Sequence, residues 1–134
     1  MPYFWDLGFR NYSLGLFGHI ESPGEAGFAF ENLVFLILRQ KLRFKAAKLN
    51  FWRTKDKAEV DFVIEAGRNL IPLEVKYKRF RQATVSASLR SFIQRYKPEH
   101  AYVINLNFSR TIDIDGTTLS FMPFHELLRS GAIL

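Results

Sequence analysis

The chain of 134 residues contains no cysteine, which excludes disulfide bonds, zinc sites built on thiolates and a cysteine nucleophile. Its longest unbroken apolar run is Leu33 to Leu38, far shorter than the roughly 20 residues that a membrane-spanning helix needs. The N-terminal residues lack the cationic region and the apolar stretch of a secretion signal. We therefore expect a cytoplasmic protein without a membrane partner, with one domain over residues 1–134.

Two further absences narrow the chemistry of the chain. None of the eight glycines lies in a G-x-x-x-x-G-K-[ST] loop, so no ATPase of that type is encoded here. The histidines His19, His100 and His125 lack the spacing of a metal site, and we expect them to be structural or exposed. The hydrophobic content of 48% supplies a core and excludes intrinsic disorder.

Positive charge is plentiful and is concentrated in two stretches. The chain has 19 Lys and Arg against 13 Asp and Glu, a formal net charge of +6. Residues 39–57 hold eight of the basic residues and residues 76–97 hold seven, with Asp56 as the one acid in either stretch. Such clusters suit a polyanion, because each neutralised phosphate releases condensed counterions. The clusters therefore predict a nucleic-acid partner, with a solvated basic surface as the alternative.

The sequence pattern predicts an α/β fold. Ser22-Pro23-Gly24-Glu25 supplies an N-cap, a proline at the first helical position and a capping box, and helical spacing continues to about Phe44. In chain order, the further predictions are strands at Lys48–Arg53, Glu59–Glu65 and Leu70–Tyr77, a helix at Thr84–Tyr96, strands at Ala101–Leu106, Thr111–Ile114 and Thr118–Met122, and a short helix at Phe124–Arg129. This order predicts an α-β-β-β-α-β core with a mixed central sheet flanked by helices, plus a small C-terminal β addition.

The first 21 residues are rich in aromatic and apolar side chains without a regular period. Tyr3, Phe4 and Trp5 are typical of this stretch, which is too apolar for a free tail. We expect residues 1–21 to be a segment that packs on this domain, or on an upstream part that this chain lacks.

The hairpin of the second and third strands gathers three charged residues. A two-residue turn at Gly67-Arg68 places Asp61 opposite Glu74, whereas a four-residue turn places Asp61 opposite Lys76. In either register the three side chains share one face within cross-strand reach. Two carboxylates and an ammonium among apolar neighbours need one another or a cation, and Mg²⁺ would satisfy both carboxylates. Lys76 would then orient or deprotonate a water, or neutralise a developing phosphate charge. The alternative is an ordinary cross-strand ion pair.

Two other features lie near this hairpin. Glu31 is flanked on its predicted helix by apolar residues, so its carboxylate is expected to have a partner; the alternative is a rim glutamate whose head reaches water. The basic run from Lys76 to Arg81 follows the third strand and places cations where a phosphate backbone would pass. Tyr77 and Phe80 in that run could stack on bases, or serve as core residues.

Together these residues resemble a known pattern. Glu31, Asp61 and Glu74-Val75-Lys76, in an α-β-β-β-α-β order, resemble the PD-(D/E)xK nuclease superfamily with its restriction-endonuclease-like fold. More narrowly, the chain resembles the C-terminal domain, a domain of unknown function, of bacterial and archaeal AAA-type ATPases. The stretches that carry this likeness are Tyr3 to Asn11, Gly27 to Val34, Phe51 to Lys55, Glu59 to Val63 and Ile71 to Lys76.

The resemblance implies roles for individual residues. Asp61 and Glu74, with the backbone carbonyl of Val75, would hold Mg²⁺ or Mn²⁺, and Glu31 would assist the metal or its water shell. Lys76 would act on the hydrolytic water. The chain departs from the pattern at Val60, where the superfamily has proline.

The expected function is therefore a metal-dependent nuclease domain that binds nucleic acid, most simply DNA, and hydrolyses phosphodiester bonds. We expect phosphate contacts from basic residues on two sides of the catalytic group: Lys78, Arg79, Arg81, Arg53 and Lys55. The resemblance also implies an upstream AAA-type ATPase as a partner. The competing hypotheses are an inactive nuclease fold that binds nucleic acid or protein and regulates that ATPase, and a protein-interaction domain without a nucleic-acid role.

Overall fold

The computed structural model describes residues 3–15, 22–129 and 131–134. They form an α/β fold whose elements, in chain order, are α1 (Leu7–Ser13), α2 (Pro23–Leu42), β1 (Lys48–Arg53), β2 (Glu59–Ala66), β3 (Asn69–Val75), α3 (Ala87–Tyr96), β4 (His100–Asn105), β5 (Arg110–Ile114), β6 (Thr117–Pro123) and a 3₁₀ turn (Phe124–Leu128). No helix within these described ranges is long and apolar enough to cross a membrane.

Helix α2 begins where the sequence predicts. The side chain of Ser22 accepts a hydrogen bond from the backbone N–H of Glu25, the side chain of Glu25 accepts one from the backbone N–H of Ser22, and Pro23 occupies the first helical position. The helix ends at Leu42, one half-turn before the predicted end at Phe44. Helix α3 begins at Ala87, three residues after the predicted start at Thr84, because the side chain of Ser86 caps the helix by accepting from the backbone N–H of Leu89.

The six strands form one mixed sheet in the order β1-β2-β3-β4-β6-β5. Strands β1, β2 and β3 are antiparallel neighbours, and β4 lies parallel to both β3 and β6. The predicted mixed sheet flanked by helices is confirmed. The C-terminal strands β5 and β6 extend this sheet, because β6 pairs with the whole length of β4.

The sheet has an apolar layer on each face. Helix α2 covers one face through residues such as Val34 and Leu38, which pack with Phe62 and Leu73. Helix α3 covers the other face, where Leu89, Phe92 and Ile93 pack with Val60, Val63 and Val103. These two buried layers fix both helices on the sheet.

A bulge in β2 changes the predicted alternation. Alternation places Val60 on the same face as Phe62, yet Val60 packs on the α3 side and Phe62 on the α2 side. The pairing shifts by one residue here, since Trp52 pairs with Val60 but Asn50 pairs with Val63. A bulge of this kind inserts one extra residue and redirects the side chains beside it. Asp61 lies inside this irregularity.

The N-terminal segment contains a short helix, α1, that the irregular apolar pattern did not predict. Tyr3 packs on the domain, with its ring stacked 4.5 Å from that of Phe35. Two further aromatic residues of the segment are largely exposed, Trp5 at 72% and Phe9 at 65%. The packing segment over residues 1–21 stays a prediction, and its residues 1–2 and 16–21 lie outside the described part of the chain.

Candidate functional site

Asp61 occupies the point where β2 separates from β3. The turn at Gly67-Arg68 has two residues, so the hairpin takes the first of the two predicted registers, and its last pair, Phe62 with Leu73, is followed by Asp61 on β2 and Glu74 on β3. Pairing with β2 ends at Leu73, whereas β3 continues to Val75 beside β4. The backbone N–H of Val75 therefore donates to Asp61 Oδ2 at 2.7 Å, in place of a main-chain acceptor on β2.

The surroundings of Asp61 make its charge unfavourable. Burial raises the pKa of the Asp61 carboxyl to about 7. The hydrogen bond from Val75 opposes this rise, the nearby carboxylates of Glu31 and Glu74 add to it, and the charge of Lys76 lowers it. All three charged partners predicted from the sequence therefore lie within electrostatic reach of Asp61.

Glu74 and Lys76 form an ion pair. Lys76 Nζ lies 2.9 Å from Glu74 Oε1, and the Glu74 side chain is 7% exposed against 44% for Lys76. Burial alone lowers the pKa of the lysine ammonium, but its hydrogen bond to Glu74 and the neighbouring carboxylates outweigh burial and raise that pKa. Lys76 is therefore a cation at neutral pH, which suits charge neutralisation better than deprotonation of a water.

The carboxylate of Glu31 has a partner that the sequence did not identify. The phenol of Tyr3 donates a hydrogen bond to Glu31 Oε1. Burial and this hydrogen bond raise the pKa of Tyr3 well above its usual value. The expectation of a partner for Glu31 is confirmed, and the aromatic residues near the N-terminus are the one sequence signal that could have led to Tyr3.

Asn32 anchors the N-terminal segment beside this contact. Its fully buried side chain accepts from the backbone N–H of Phe4 at 2.7 Å and donates to the carbonyl of Phe4 at 2.8 Å. Both polar groups of the amide are thereby used by one residue 28 positions away. Asn32 fixes where Tyr3 and Trp5 lie along α2, a role that only the folded chain reveals.

The candidate residues divide between two cavities. Asp61 and Glu31 line one of about 430 Å³, which Tyr3 and Arg53 also line. Glu74 and Lys76 line a second of about 210 Å³. Each carboxylate has its own protein partner, and no three or more His, Asp, Glu or Cys residues in the described ranges are grouped as a metal-binding cluster.

The predicted phosphate-binding residues lie on both sides of these cavities. Lys78, Arg79 and Arg81 line an open cavity of about 530 Å³ that follows β3, and Lys78 also lines the cavity of Glu74 and Lys76. On the other side Arg53 pairs with Glu59 at 3.3 Å, and Lys55 is exposed in the turn between β1 and β2. Strand β3 ends at Val75, two residues before its predicted end at Tyr77, so Lys76 and Tyr77 lie in the following loop.

A six-stranded mixed sheet between two helical layers defines the chain as an α/β domain. Residues 26–126 match the family model described as "Domain of unknown function (DUF4143)". The chain belongs to this family. Comparison with curated proteins gives no match.

The fold is similar to that of a solved chain from Thermococcus gammatolerans. That chain belongs to a structure described as the refined half-complex from a tetradecameric assembly of McrB AAA+ hexamers with bound McrC. The TM-score is 0.52 at 14% sequence identity, and the similarity covers 72% of this chain and 27% of that chain. The likeness at this identity concerns the fold, and this chain spans little more than a quarter of its neighbour's length.

Proposed function

We propose that this domain is a metal-dependent nuclease of the PD-(D/E)xK type, which binds nucleic acid and hydrolyses phosphodiester bonds. The observation that carries the proposal is the hairpin register, in which the last pair, Phe62 with Leu73, is followed by Asp61 on one strand and Glu74 on the other, with Lys76 paired to Glu74 at 2.9 Å. Asp61 thus lines one cavity at this fork of the sheet, and Glu74 and Lys76 line another, which shares Lys78 with the open basic cavity that follows β3.

The donor set around Asp61 fits a hard divalent cation. Asp61, Glu74 and Glu31 offer carboxylate oxygens, and the resemblance adds the backbone carbonyl of Val75; oxygen ligands of this kind suit Mg²⁺ or Mn²⁺. These carboxylates now bind Val75, Lys76 and Tyr3, so metal binding would have to replace part of those contacts. When bound, the ion would polarise the phosphodiester and lower the pKa of an attacking water.

The protein groups supply the remaining requirements for hydrolysis. Lys76 stays charged and offers its ammonium to the negative charge that develops on the phosphate oxygens. The cations at Lys78, Arg79 and Arg81 hold the phosphate backbone next to that group. Arg53 and Lys55 would contact the strand on the other side of Asp61.

Metal binding is the first test, because a negative cleavage result on a wrong substrate would mean little. We would titrate Mg²⁺ and Mn²⁺ by calorimetry at pH 8, where Asp61 is ionised, against the wild-type chain and the Asp61→Asn/Glu74→Gln variant. Binding by the wild type alone supports the proposal. The exposed Asp56→Asn variant is the matched control and should bind like the wild type.

Cleavage is the second test. A panel of single-stranded and duplex DNA and RNA should be cut by the wild type with Mg²⁺, and Lys76→Ala should lose the activity by about 100-fold or more, the scale of one removed charge-stabilising donor. Retained thermal stability and metal binding in Lys76→Ala would assign this loss to chemistry. Equal activity in both proteins would contradict a catalytic role for Lys76.

A second candidate function is a binding module that regulates an AAA-type ATPase. The separate protein partners of the three carboxylates favour it, since no metal-binding cluster is formed in the described ranges. An ATPase partner is supported by the resemblance and by the AAA+ assembly to which the solved neighbour belongs. Absence of metal binding in the wild type, together with retained nucleic-acid binding, would favour this function over the nuclease.

A further inference from the structure

The arginines in the C-terminal half of α2 and at its end, Arg39 and Arg43, take no part in the candidate site. A cavity of about 760 Å³ lies along the C-terminal half of α2 and the start of β1, and its lining includes Trp5, Leu36, Arg39, Arg43 and Leu49. This groove has apolar walls and two guanidinium groups. It is separate from the cavities that Asp61 and Glu74 line.

The charge of the groove is unbalanced. No acidic residue occurs from position 39 to position 55, a stretch with seven lysines and arginines. Lys41 and Lys45 donate to the backbone carbonyls of Arg129 and Leu134. Arg39 and Arg43 form no salt bridge with any acid that the structure describes. Their charges are therefore available to an anionic ligand.

Each of these two arginines lies over an exposed aromatic ring. The guanidinium carbon of Arg39 is 4.6 Å from the ring centre of Trp5, which is 72% exposed. That of Arg43 is 5.2 Å from the ring centre of Phe44, which is 89% exposed. Stacking surfaces beside cations are the combination by which proteins hold unpaired bases and their phosphates.

The ring of Trp5 is held in place for such contacts. Asn32 fixes the backbone of Phe4 by two hydrogen bonds, which sets Trp5 beside Arg39. Arg39 and Arg43 are one helical turn apart, about 6 Å along the helix axis. Because the ring and the two cations are already positioned, little conformational entropy is lost when a ligand binds to them.

We propose that Trp5, Arg39, Arg43 and Phe44 form a subsite for single-stranded nucleic acid. The open rings favour a single strand over a duplex, whose bases already stack on each other, and over an acidic peptide, which has no flat base to stack. Arg39 follows Glu31 by eight residues, about 12 Å along α2. The subsite thus holds the strand a few nucleotides from the candidate site. It rests on the nucleic-acid binding of the proposed function, but not on metal or cleavage.

The first experiment measures binding by the full chain in EDTA, with a fluorescein-labelled oligothymidine and anisotropy as the readout. Arg39→Ala/Arg43→Ala should bind at least tenfold more weakly, and the slope of log K against log salt should fall by about 1.4, the value for two phosphate contacts on a single strand. Arg90→Ala/Arg95→Ala removes the same charge from α3 and should change affinity less than threefold. Equal weakening by both pairs would overturn the proposal.

The second experiment tests stacking at Trp5. Trp5→Ala should weaken oligonucleotide binding by about 5- to 100-fold, the range for one lost base–aromatic stack, and Trp5→Phe should restore most of the affinity. Thermal unfolding of each variant shows whether α1 and α2 remain packed. Unchanged affinity in a folded Trp5→Ala variant would overturn the subsite.

Two competitor ligands separate the proposed occupant from others. A duplex of the same length and a deca-glutamate peptide should both compete poorly with the oligothymidine. Strong binding of the peptide that depends on Arg39 and Arg43 would replace nucleic acid with an acidic protein partner and overturn the proposal. Because EDTA is present throughout, a failure here is distinct from a failure of metal binding or cleavage at Asp61.

Discussion

Around Asp61, the structure assigns each buried charge to a separate partner. Asp61 accepts from the backbone of Val75, Glu74 pairs with Lys76, and Glu31 accepts from Tyr3. Buried charges persist only when paired or hydrogen-bonded, because the protein interior solvates them poorly. Burial raises the pKa of Asp61 to about 7; the Val75 N–H and the charge of Lys76 oppose this rise, and the carboxylates of Glu31 and Glu74 add to it.

We predict that Asp61→Asn stabilises the chain at neutral pH. The folded protein binds the Asp61 proton more tightly than the unfolded chain does, so wild-type stability falls as the pH rises from about 4 to about 7. The amide removes the charge and keeps an oxygen for the Val75 N–H. The gain in the free energy of unfolding should be absent near pH 4 and should reach a plateau above pH 7, at most about 4 kcal/mol. Urea unfolding in EDTA across this pH range measures it.

Asp56→Asn is the control for that prediction, since Asp56 is exposed in the β1–β2 turn. Its stability difference from the wild type should stay within about 0.5 kcal/mol at every pH. A gain for Asp61→Asn that is the same at pH 4 and pH 8 would show that the Asp61 charge is not the cause.

At the level of the elements, the site is produced by a fork between strands. Strand β2 stops pairing with β3 at Leu73, and β3 continues for two residues with β4 alone. The bulge at Asp61 bends β2 away from β3, so the backbone N–H of Val75 has no main-chain acceptor on β2. It donates to the side chain of Asp61 instead. Asp61 and Glu74 therefore lie where the two strands part.

Helix α3 ends in a conformation that its sequence opposes. Lys97 at the C-cap has φ 45° and ψ 54°, the left-handed region that glycine adopts freely and other residues adopt at a cost. We predict that Lys97→Gly raises the free energy of unfolding by about 0.5–1 kcal/mol, measured by urea denaturation.

Lys97→Ala separates backbone strain from charge in this test. Alanine removes the lysine charge but keeps the side-chain carbon that opposes a positive φ. Stability should therefore stay at or below that of the wild type. A gain in Lys97→Ala equal to that of Lys97→Gly would assign the effect to charge instead.

In the whole molecule, two buried layers enclose a single sheet. Strands β3 and β4 lie in the middle, each with neighbours on both sides, and β1 and β5 form the two edges. The middle strands carry residues with no exposure, such as Leu73 and Ala101, whereas four of the five residues of β5 are exposed or half-buried.

We predict that amide hydrogen exchange follows this arrangement. Backbone groups of β3 and β4 should exchange slowest, because they open only with the whole domain, and those of β5 should exchange fastest among the strands. Exchange measured by mass spectrometry or NMR tests this order. Protection of β5 equal to that of β4 would show that the sheet opens as one unit.

Local patterns of the sequence were sufficient for most of the elements. The capping box at Ser22 and Glu25, the presence of a turn at Gly67-Arg68 and the alternation of β3 all depend on residues within a few positions of one another. The bounds of β1 were predicted as observed, and the other strands were predicted to within one or two residues at each end. Helix α1 was missed because its apolar residues face solvent and give no period.

The sequence by itself also placed Asp61, Glu74 and Lys76 in one hairpin, because two strands joined by a short turn pair with each other. It left two registers open, and the folded chain decides between them. Only the tertiary structure decided how their charges are satisfied. The hydrogen bonds of Tyr3 with Glu31 and of Phe4 with Asn32 join residues 28 positions apart, and β6 lies beside β4 rather than apart from the sheet. Such contacts depend on how whole elements pack, and packing is set by the shape of the folded core, which no local pattern encodes.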